Sequence, residues 1–216
     1  MSKIYYKFII HKIYEGDEQM NDNDNYIQKL NKLLEKEKNL ELVKLIKKLI
    51  EERNYFRRVA NIDTLTGLYN RRILNQIEIS TGVLMIDIDN FKRINDQYNH
   101  NVGDIAIKEV SQIIKKHIRS VDYICRFGGD EFVIVFIECP SSIIIERAET
   151  IRRKIQDSIN IESQEITVSI GVSINTNDLN IEQLILAADS ALYQAKNNGK
   201  NQIKLYNDKI KKLEKK

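Results

Sequence analysis

The chain lacks most of what a disulfide scaffold or a zinc site requires. Its 216 residues include only two cysteines, Cys125 and Cys139, without CxxC spacing. Both lie near or within expected strands, and they read as buried, reduced thiols of a cytoplasmic protein. The three histidines, His11, His100 and His117, form no HxxxH pattern and no Cys/His cluster, so no zinc site is expected. No apolar run approaches the length of a transmembrane helix. The apolar start, Ile4 to Ile13, is interrupted by Lys7, His11 and Lys12 and has no recognisable cleavage site, so it does not read as a signal peptide. Thirty-four basic residues against 31 acidic ones leave a net charge of +3, too small an excess to mark a nucleic-acid binder. No GxxxxGK[ST] occurs, and no GxGxxG follows a strand, so a glycine-rich phosphate loop is excluded.

What is present suits one globular domain with an extension. Hydrophobic residues make up 42% of the chain, enough to build a core. Residues 1–25 form a short segment that ends in an Asp- and Asn-rich stretch, Gly16 to Asn25, with loop character. The part before that stretch is compatible with a strand or with a short amphipathic piece. From Tyr26 to Ala60 there is no glycine or proline, and Leu, Lys and Glu dominate, which predicts a long helix. Leu42, Leu45, Leu49, Phe56 and Val59 follow a heptad seam with Glu52 as a polar interruption. Ile27, Leu30 and Leu34 form an earlier stripe out of phase with it, as a stutter would produce. A single amphipathic helix lying on its own domain and a coiled-coil stalk pairing two chains both fit. The charged remaining faces favour the stalk. Residues 61–207 carry the domain, and 208–216 are a charged tail.

Within 61–207 the pattern predicts helices at Arg71–Ile79, Phe91–Tyr98, Asp104–Arg119, Ser142–Ile159 and Ile181–Asn197. Strands are expected at Val83–Asp89, Tyr123–Phe127, Phe132–Ile137 and Ile166–Ile174, with a final short one near Gln202–Tyr206. The fold class is therefore α/β, a central sheet covered by helices. The adjacent hairpin strands make that sheet mixed rather than purely parallel.

The hairpin "RFGGDEFVIVF", Arg126 to Phe136, places Gly128 and Gly129 where a tight turn uses φ > 0. Asp130 and Glu131 follow them, and on this evidence alone they serve equally well as solvated turn residues. "VLMIDIDNFKRIND" adds Asp87 and Asp89 on one face of a strand. A helix starting near Asn90 gives Asp89 a capping role, but that role does not account for Asp87. Carboxylates at a strand end are costly unless something positive sits there. Asp87, Asp130 and Glu131 are expected to converge as an all-oxygen site for a hard cation. Lys92, Lys196 and Lys200 are the nearest candidates to meet phosphates, although each also reads as ordinary surface charge or as a helix C-terminal cation.

These residues, in order, resemble the GGDEF domain of diguanylate cyclases. The resemblance covers about Asn61 to Tyr206. It rests on "DTLTGLYNRR" at Asp63–Arg72, "DIDNFKRINDQYNHNVGD" at Asp87–Asp104, Gly128-Gly129-Asp130-Glu131-Phe132, "SIGVSI" at Ser169–Ile174 and "ADSALYQAKNNGKNQI" at Ala188–Ile203. It implies a palm-like mixed sheet and the condensation of two GTP into cyclic di-GMP with release of two pyrophosphates. It implies Mg²⁺, with Mn²⁺ as a substitute, on Asp87, the Ile88 carbonyl and Asp130. Asp130 stands at the position that helps to deprotonate the attacking 3′-hydroxyl, with Glu131 supporting the metal. Asn95 and Asp104 would read the guanine edge, since an amide both donates and accepts and a carboxylate accepts. Phe91 and Lys92 would lie near the phosphates, and Lys196 and Lys200 would hold the outer ones. Each protomer would bind one GTP, so the implied working unit is a homodimer.

"RSVD", Arg119 to Asp122, resembles the family's RxxD site, which implies binding of cyclic di-GMP as an inhibitor; a helix-terminal Arg with a turn Asp is the structural alternative. Two departures stand out. Asn99 replaces the glycine of Tyr-Gly-His, which a left-handed backbone tolerates. Lys200 replaces an arginine, which keeps the charge and loses the bidentate fork. Residues 1–25 match no familiar sensor, so the input is expected from an upstream signalling partner. A catalytically silent cyclic di-GMP receptor and a coiled-coil interaction module are the rival readings.

Overall fold

The computed structural model describes residues 40–207 except Ile79 and Asn177. The expectations for residues 1–39 and for the tail at 208–216 lie outside the described residues. Helix α1, Leu40–Ala60, crosses from one unit of the chain into the next, which begins at Arg58. On α1 itself Leu45, Phe56 and Val59 of the heptad seam are exposed. Among the described residues no helix is long and apolar enough to cross a membrane.

The globular unit is built on a six-stranded mixed sheet. Its strands are β1 (Tyr69–Asn70), β2 (Gly82–Ile88), β3 (Tyr123–Arg126), β4 (Glu131–Phe136), β7 (Val168–Ile174) and β8 (Ile203–Leu205). The spatial order is β1-β3-β4-β2-β7-β8. β2 pairs antiparallel with both β4 and β7, and only the edge pairs β1–β3 and β7–β8 are parallel. β5 (Asn160–Ile161) and β6 (Gln164–Glu165) form a separate small hairpin. The helices are α2 (Phe91–Tyr98), α3 (His100–His117), α4 (Ser141–Ser158) and α5 (Ile181–Asn197).

Alternation along the strands splits the core in two. Leu84, Ile86 and Ile88 of β2, with Phe132 and Ile134 of β4 and Ile170 of β7, pack against α2, α3 and α4. Val83 and Met85, with Val133 and Val135, face α5 and the 3₁₀ helix Arg71–Gln76. Every residue of β2 is buried, as a central strand covered on both faces requires. Asp87 falls on the α5 side of this alternation, and so does Glu131.

Two expected boundaries move for local reasons. The helix expected at Arg71–Ile79 is a 3₁₀ turn that ends at Gln76, because Ile77 is extended. The helix expected from Asp104 starts at His100, because the Asn99 side chain accepts from the Asn101 and Val102 N–H groups. Asn99 itself is not left-handed helical. Its φ of 112° and ψ of 169° lie in a region that glycine fills most easily, at a cost of about 1–3 kcal/mol that the cap offsets.

Gly171 of β7 sets how closely α5 lies on the sheet. A Cβ there would stand 1.9 Å from the Ala188 carbonyl oxygen and 2.4 Å from the Leu192 nitrogen, both backbone atoms. Gly171→Ala is expected to lower stability by about 3 kcal/mol, read as a reduced denaturant midpoint with an unchanged slope. A midpoint within error of the parent's would show that α5 can withdraw at no cost.

Candidate functional site

The site forms where β2 ends beside the β3–β4 turn. Asp87 is 6% exposed, and its Oδ2 lies 2.7 Å from Nζ of Lys196, near the C-terminal end of α5. Glu131 sits directly opposite Asp87 in the β2–β4 register. Like charges opposite one another in a ladder repel. Burial, opposed by Lys196 and reinforced by Asp130 and Glu131, pushes the Asp87 carboxyl up to about 6. Burial and Asp130 raise the Glu131 carboxyl as well, with Lys196 again opposing and Asp189 adding to the rise. The Ile88 N–H donates to the Asp130 carbonyl at 3.2 Å, which ties the turn to the end of β2.

Asp130 and Glu131 stand close enough to Asp87 to add to the rise in its pKa, and the three do not form a closed cage. Among the described residues no three Asp, Glu, His or Cys side chains form a ready-made metal group. The donor chemistry nevertheless fits a hard cation that takes one or two carboxylates from the protein and the rest from phosphates and water. The rise at Asp87 marks a place where added positive charge is favoured.

The two glycines of the turn serve a different purpose from the one expected. Neither has a positive φ. A Cβ on Gly128 would stand 2.3 Å from Oε2 of Glu131, so the residue makes room for that carboxylate, whereas a Cβ on Gly129 meets open space. Arg126, which sequence reasoning missed, holds the turn. Its Nε and Nη2 donate to the Gly129 carbonyl, and its Nη1 pairs with Asp63 at 3.2 Å. Burial opposes the charge on Asp63, but hydrogen bonds from Thr66 and the Arg126 guanidinium more than offset it and lower its pKa. The opening motif is therefore the anchor of the signature turn. A charge in each motif was the available signal, but the two partners lie 63 residues apart.

On the other side, Asn90 adopts a left-handed conformation with φ 59° and accepts from Lys200 Nζ. Asp89 does not cap α2. It is buried and takes hydrogen bonds from the Thr167 and Ser169 hydroxyls and the Asn201 N–H. Lys92 lines an open groove of about 530 Å³ with Asn90, Arg93, Asp96 and Gln97. Phe91 packs on the core from its partly buried position. Asn95 lies against Gly103, where a Cβ would stand 2.0 Å from its Oδ1, so the glycine lets α2 approach α3 beside Asp104. That Oδ1 is buried with no hydrogen-bond partner. An unpaired buried acceptor costs about 1–3 kcal/mol, which marks a residue not kept for stability.

Residues 60–202 match the family described as "Diguanylate cyclase, GGDEF domain". The chain belongs to this family. It is 36% identical to diguanylate cyclase DosC of Escherichia coli (strain K12) over 181 residues, covering 77% of this chain and 39% of DosC. It is 34% identical to the response regulator PleD of Caulobacter vibrioides over 162 residues, covering 67% of this chain and 36% of PleD. The chain therefore spans less than half the length of these curated relatives. A solved structure of the coiled coil and GGDEF domain of DgcB from Caulobacter crescentus, in complex with c-di-GMP, superposes with a TM-score of 0.66 at 27% identity. That match covers 76% of this chain and 95% of the other.

In this GGDEF domain Arg119 and Asp122 pair with each other. The guanidinium forks onto the carboxylate at 2.8 and 2.7 Å, and Nη2 also donates to the Ile137 carbonyl. Asp122 accepts from the Ile137 N–H as well, and its side chain is only 1% exposed, whereas that of Arg119 is 43% exposed. Ile137 follows the last residue of β4, and Glu131 is the first, so the pair stands at the opposite end of that strand from the carboxylate cluster. Cys139, buried and unpaired with Cys125, lies just beyond.

The pH dependence of the GGDEF domain follows from Asp87. Its folded pKa is raised above the unfolded 3.8 to about 6, so the native state binds the extra proton between these values, and stability falls as pH rises through that window. In metal-free buffer Asp87→Asn is expected to melt higher than the parent at pH 7.5, with the gap closing as pH falls from 6 to 4. Parallel melting curves across that range would remove the raised Asp87 from the account.

Proposed function

We propose that the protein is a Mg²⁺-dependent diguanylate cyclase acting as a homodimer. The observation that carries this reading is the end of β2, where buried Asp87 faces Glu131 across the ladder and holds Lys196 at 2.7 Å. That arrangement stores acidic groups beside a cation able to turn outward when a triphosphate arrives. Asp87, the Ile88 carbonyl and Asp130 would hold the Mg²⁺, or Mn²⁺, which when bound neutralises charge on the α-phosphate and lowers the 3′-hydroxyl pKa.

This chain's residues supply the rest. Asn95 and Asp104 select guanine by accepting from and donating to its edge. Lys196 and Lys200 grip the outer phosphates, and Phe91 and Lys92 border them. Asp130 takes the proton of the 3′-hydroxyl, with Glu131 setting the charge around it. The hydroxyl oxygen of one GTP then bonds to the α-phosphorus of the other, and pyrophosphate leaves. The same exchange in the opposite sense closes the ring. Two half-sites must face each other, so positioning supplies a large share of the rate. The exposed Leu45, Phe56 and Val59 on α1 support a paired stalk that raises the local concentration of one half-site near the other. The substrate, the soluble nucleotide product and the unpaired thiols Cys125 and Cys139 support a cytoplasmic setting.

The decisive assay is incubation of nucleotide-stripped protein with GTP and Mg²⁺, followed by chromatography. Cyclic di-GMP forms from GTP and not from ATP or without metal. Asp130→Ala loses at least about a hundredfold in turnover. Asp104→Ala uses GTP less well and loses preference over ATP. Absence of product from a folded dimer that binds cyclic di-GMP would move the assignment to a silent receptor.

Arg119, half presented to solvent and oriented by Asp122, is the group proposed to meet the product's phosphates or guanine. Arg119→Ala is expected to relieve product inhibition with turnover retained. Inhibition curves identical to the parent's would leave the Arg119–Asp122 pair a purely structural one.

A further inference from the structure

We infer that Asn201 and Arg152, acting with Asp89, are positioning residues that fix where Lys200 presents its ammonium to a nucleoside triphosphate. The inference rests on the reading of Lys200 as a phosphate ligand. It begins from the backbone. Gly199, Lys200 and Asn201 have φ values of 107°, 63° and 45° in succession. Non-glycine residues at positive φ are strained, and they persist only where the surroundings over-determine them.

Here the surroundings are specific. The Lys200 N–H donates to the Ala195 carbonyl at 3.0 Å, which closes the end of α5. The Asn201 N–H donates to Asp89 Oδ2 at 3.0 Å, and the Asp89 carboxylate is itself fixed by Thr167 and Ser169. The Asn201 side chain accepts from Arg152 Nη1 at 2.7 Å, across from α4. Arg152 is held in turn by Glu149 and Gln156, with its side chain 13% exposed. The Gln202 amide caps the Ala195, Asn198 and Lys200 carbonyls. Asn201 therefore ties α4, through Arg152, to Asp89 just past the end of β2, and Asp89 is tied in turn to Ser169 of β7. Its neighbour Lys200 projects from this frame onto Asn90, at the rim of the groove that Lys92 lines.

A lysine has four rotatable side-chain bonds and no planar fork, so it grips phosphate well only if its backbone is delivered in place. In this chain, where lysine occupies a position the family often gives to arginine, the fixed loop does the aiming.

The test is titration calorimetry on the full chain, stripped of nucleotide, with 3′-deoxy-GTP and with GMP in Mg²⁺. 3′-deoxy-GTP cannot react, and GMP lacks the outer phosphates. Asn201→Gly keeps the positive φ and the N–H to Asp89 but removes the contact with Arg152. It is expected to weaken 3′-deoxy-GTP roughly tenfold and to leave GMP unchanged. Lys200→Gln should show the same pattern, and the double variant should lose no more than Lys200→Gln alone, because both changes act through one contact. If Lys200→Gln leaves triphosphate affinity unchanged, the phosphate reading of Lys200 fails and this inference with it. If Lys200→Gln weakens the triphosphate but Asn201→Gly does not, or weakens both nucleotides alike, Lys200 keeps its role and the aiming frame is wrong. Arg152→Met provides an independent break of the same contact and must follow Asn201→Gly.

Discussion

Everything at this site depends on keeping Asp87 tolerable inside a covered strand. A carboxylate with β-strands on both sides and a helix above it is largely cut off from water, and Glu131 opposite makes its charge worse. Lys196 is the compensating group. It comes from a different element, and its reach is fixed by the packing of α5 on β7. Removing the cation alone leaves an uncompensated buried charge, a far larger penalty than the pair is worth in stability. Such a pair is better understood as a reserve of charge than as a stabilising contact. The lysine would be released from the carboxylate only if another cation took its place there.

Two frames surround this centre, and they have the same logic. Arg126 joins the signature turn to Asp63 of the opening motif, and Arg152 joins the loop after α5 to α4. In each case a half-buried guanidinium donates to a carbonyl-type oxygen of a turn while a carboxylate fixes its other nitrogens. Arginine suits this work because its planar fork serves two directed partners at once. Turns that carry the candidate site residues are in this way referred to the rigid helices and strands, which holds geometry more closely than loop residues could among themselves.

The sequence made the strands, helices and most candidate residues legible because their signals are local. An apolar run ending in acidic residues marked β2, periodicity marked α5 at Ile181–Asn197, and the acidic residues stood at strand ends. What was not legible depended on partners far along the chain. Asp89 looked like a helix cap because Asn90 begins a helix. Its real partners, Thr167, Ser169 and Asn201, lie 78 to 112 residues away. Gly128 was read as a source of positive φ, since Gly-Gly between strands usually is. Its actual service is space for the Glu131 side chain, which no turn statistic encodes. Asp122 likewise reads as an open acceptor in a motif, yet its oxygens face Arg119 and Ile137.

Gly171 has a consequence beyond packing. Because a backbone carbonyl and a backbone nitrogen of α5 press where its side chain would be, the separation between that helix and the sheet is set by bare backbone. A gap defined this way has almost no play: there is no rotamer to relax and no methylene to trim. The far end of α5 carries Lys196, so the same contact works as a gauge block for the distance between ammonium and carboxylate. Charge placement at one end of the helix thus depends on the absence of an atom beneath its middle.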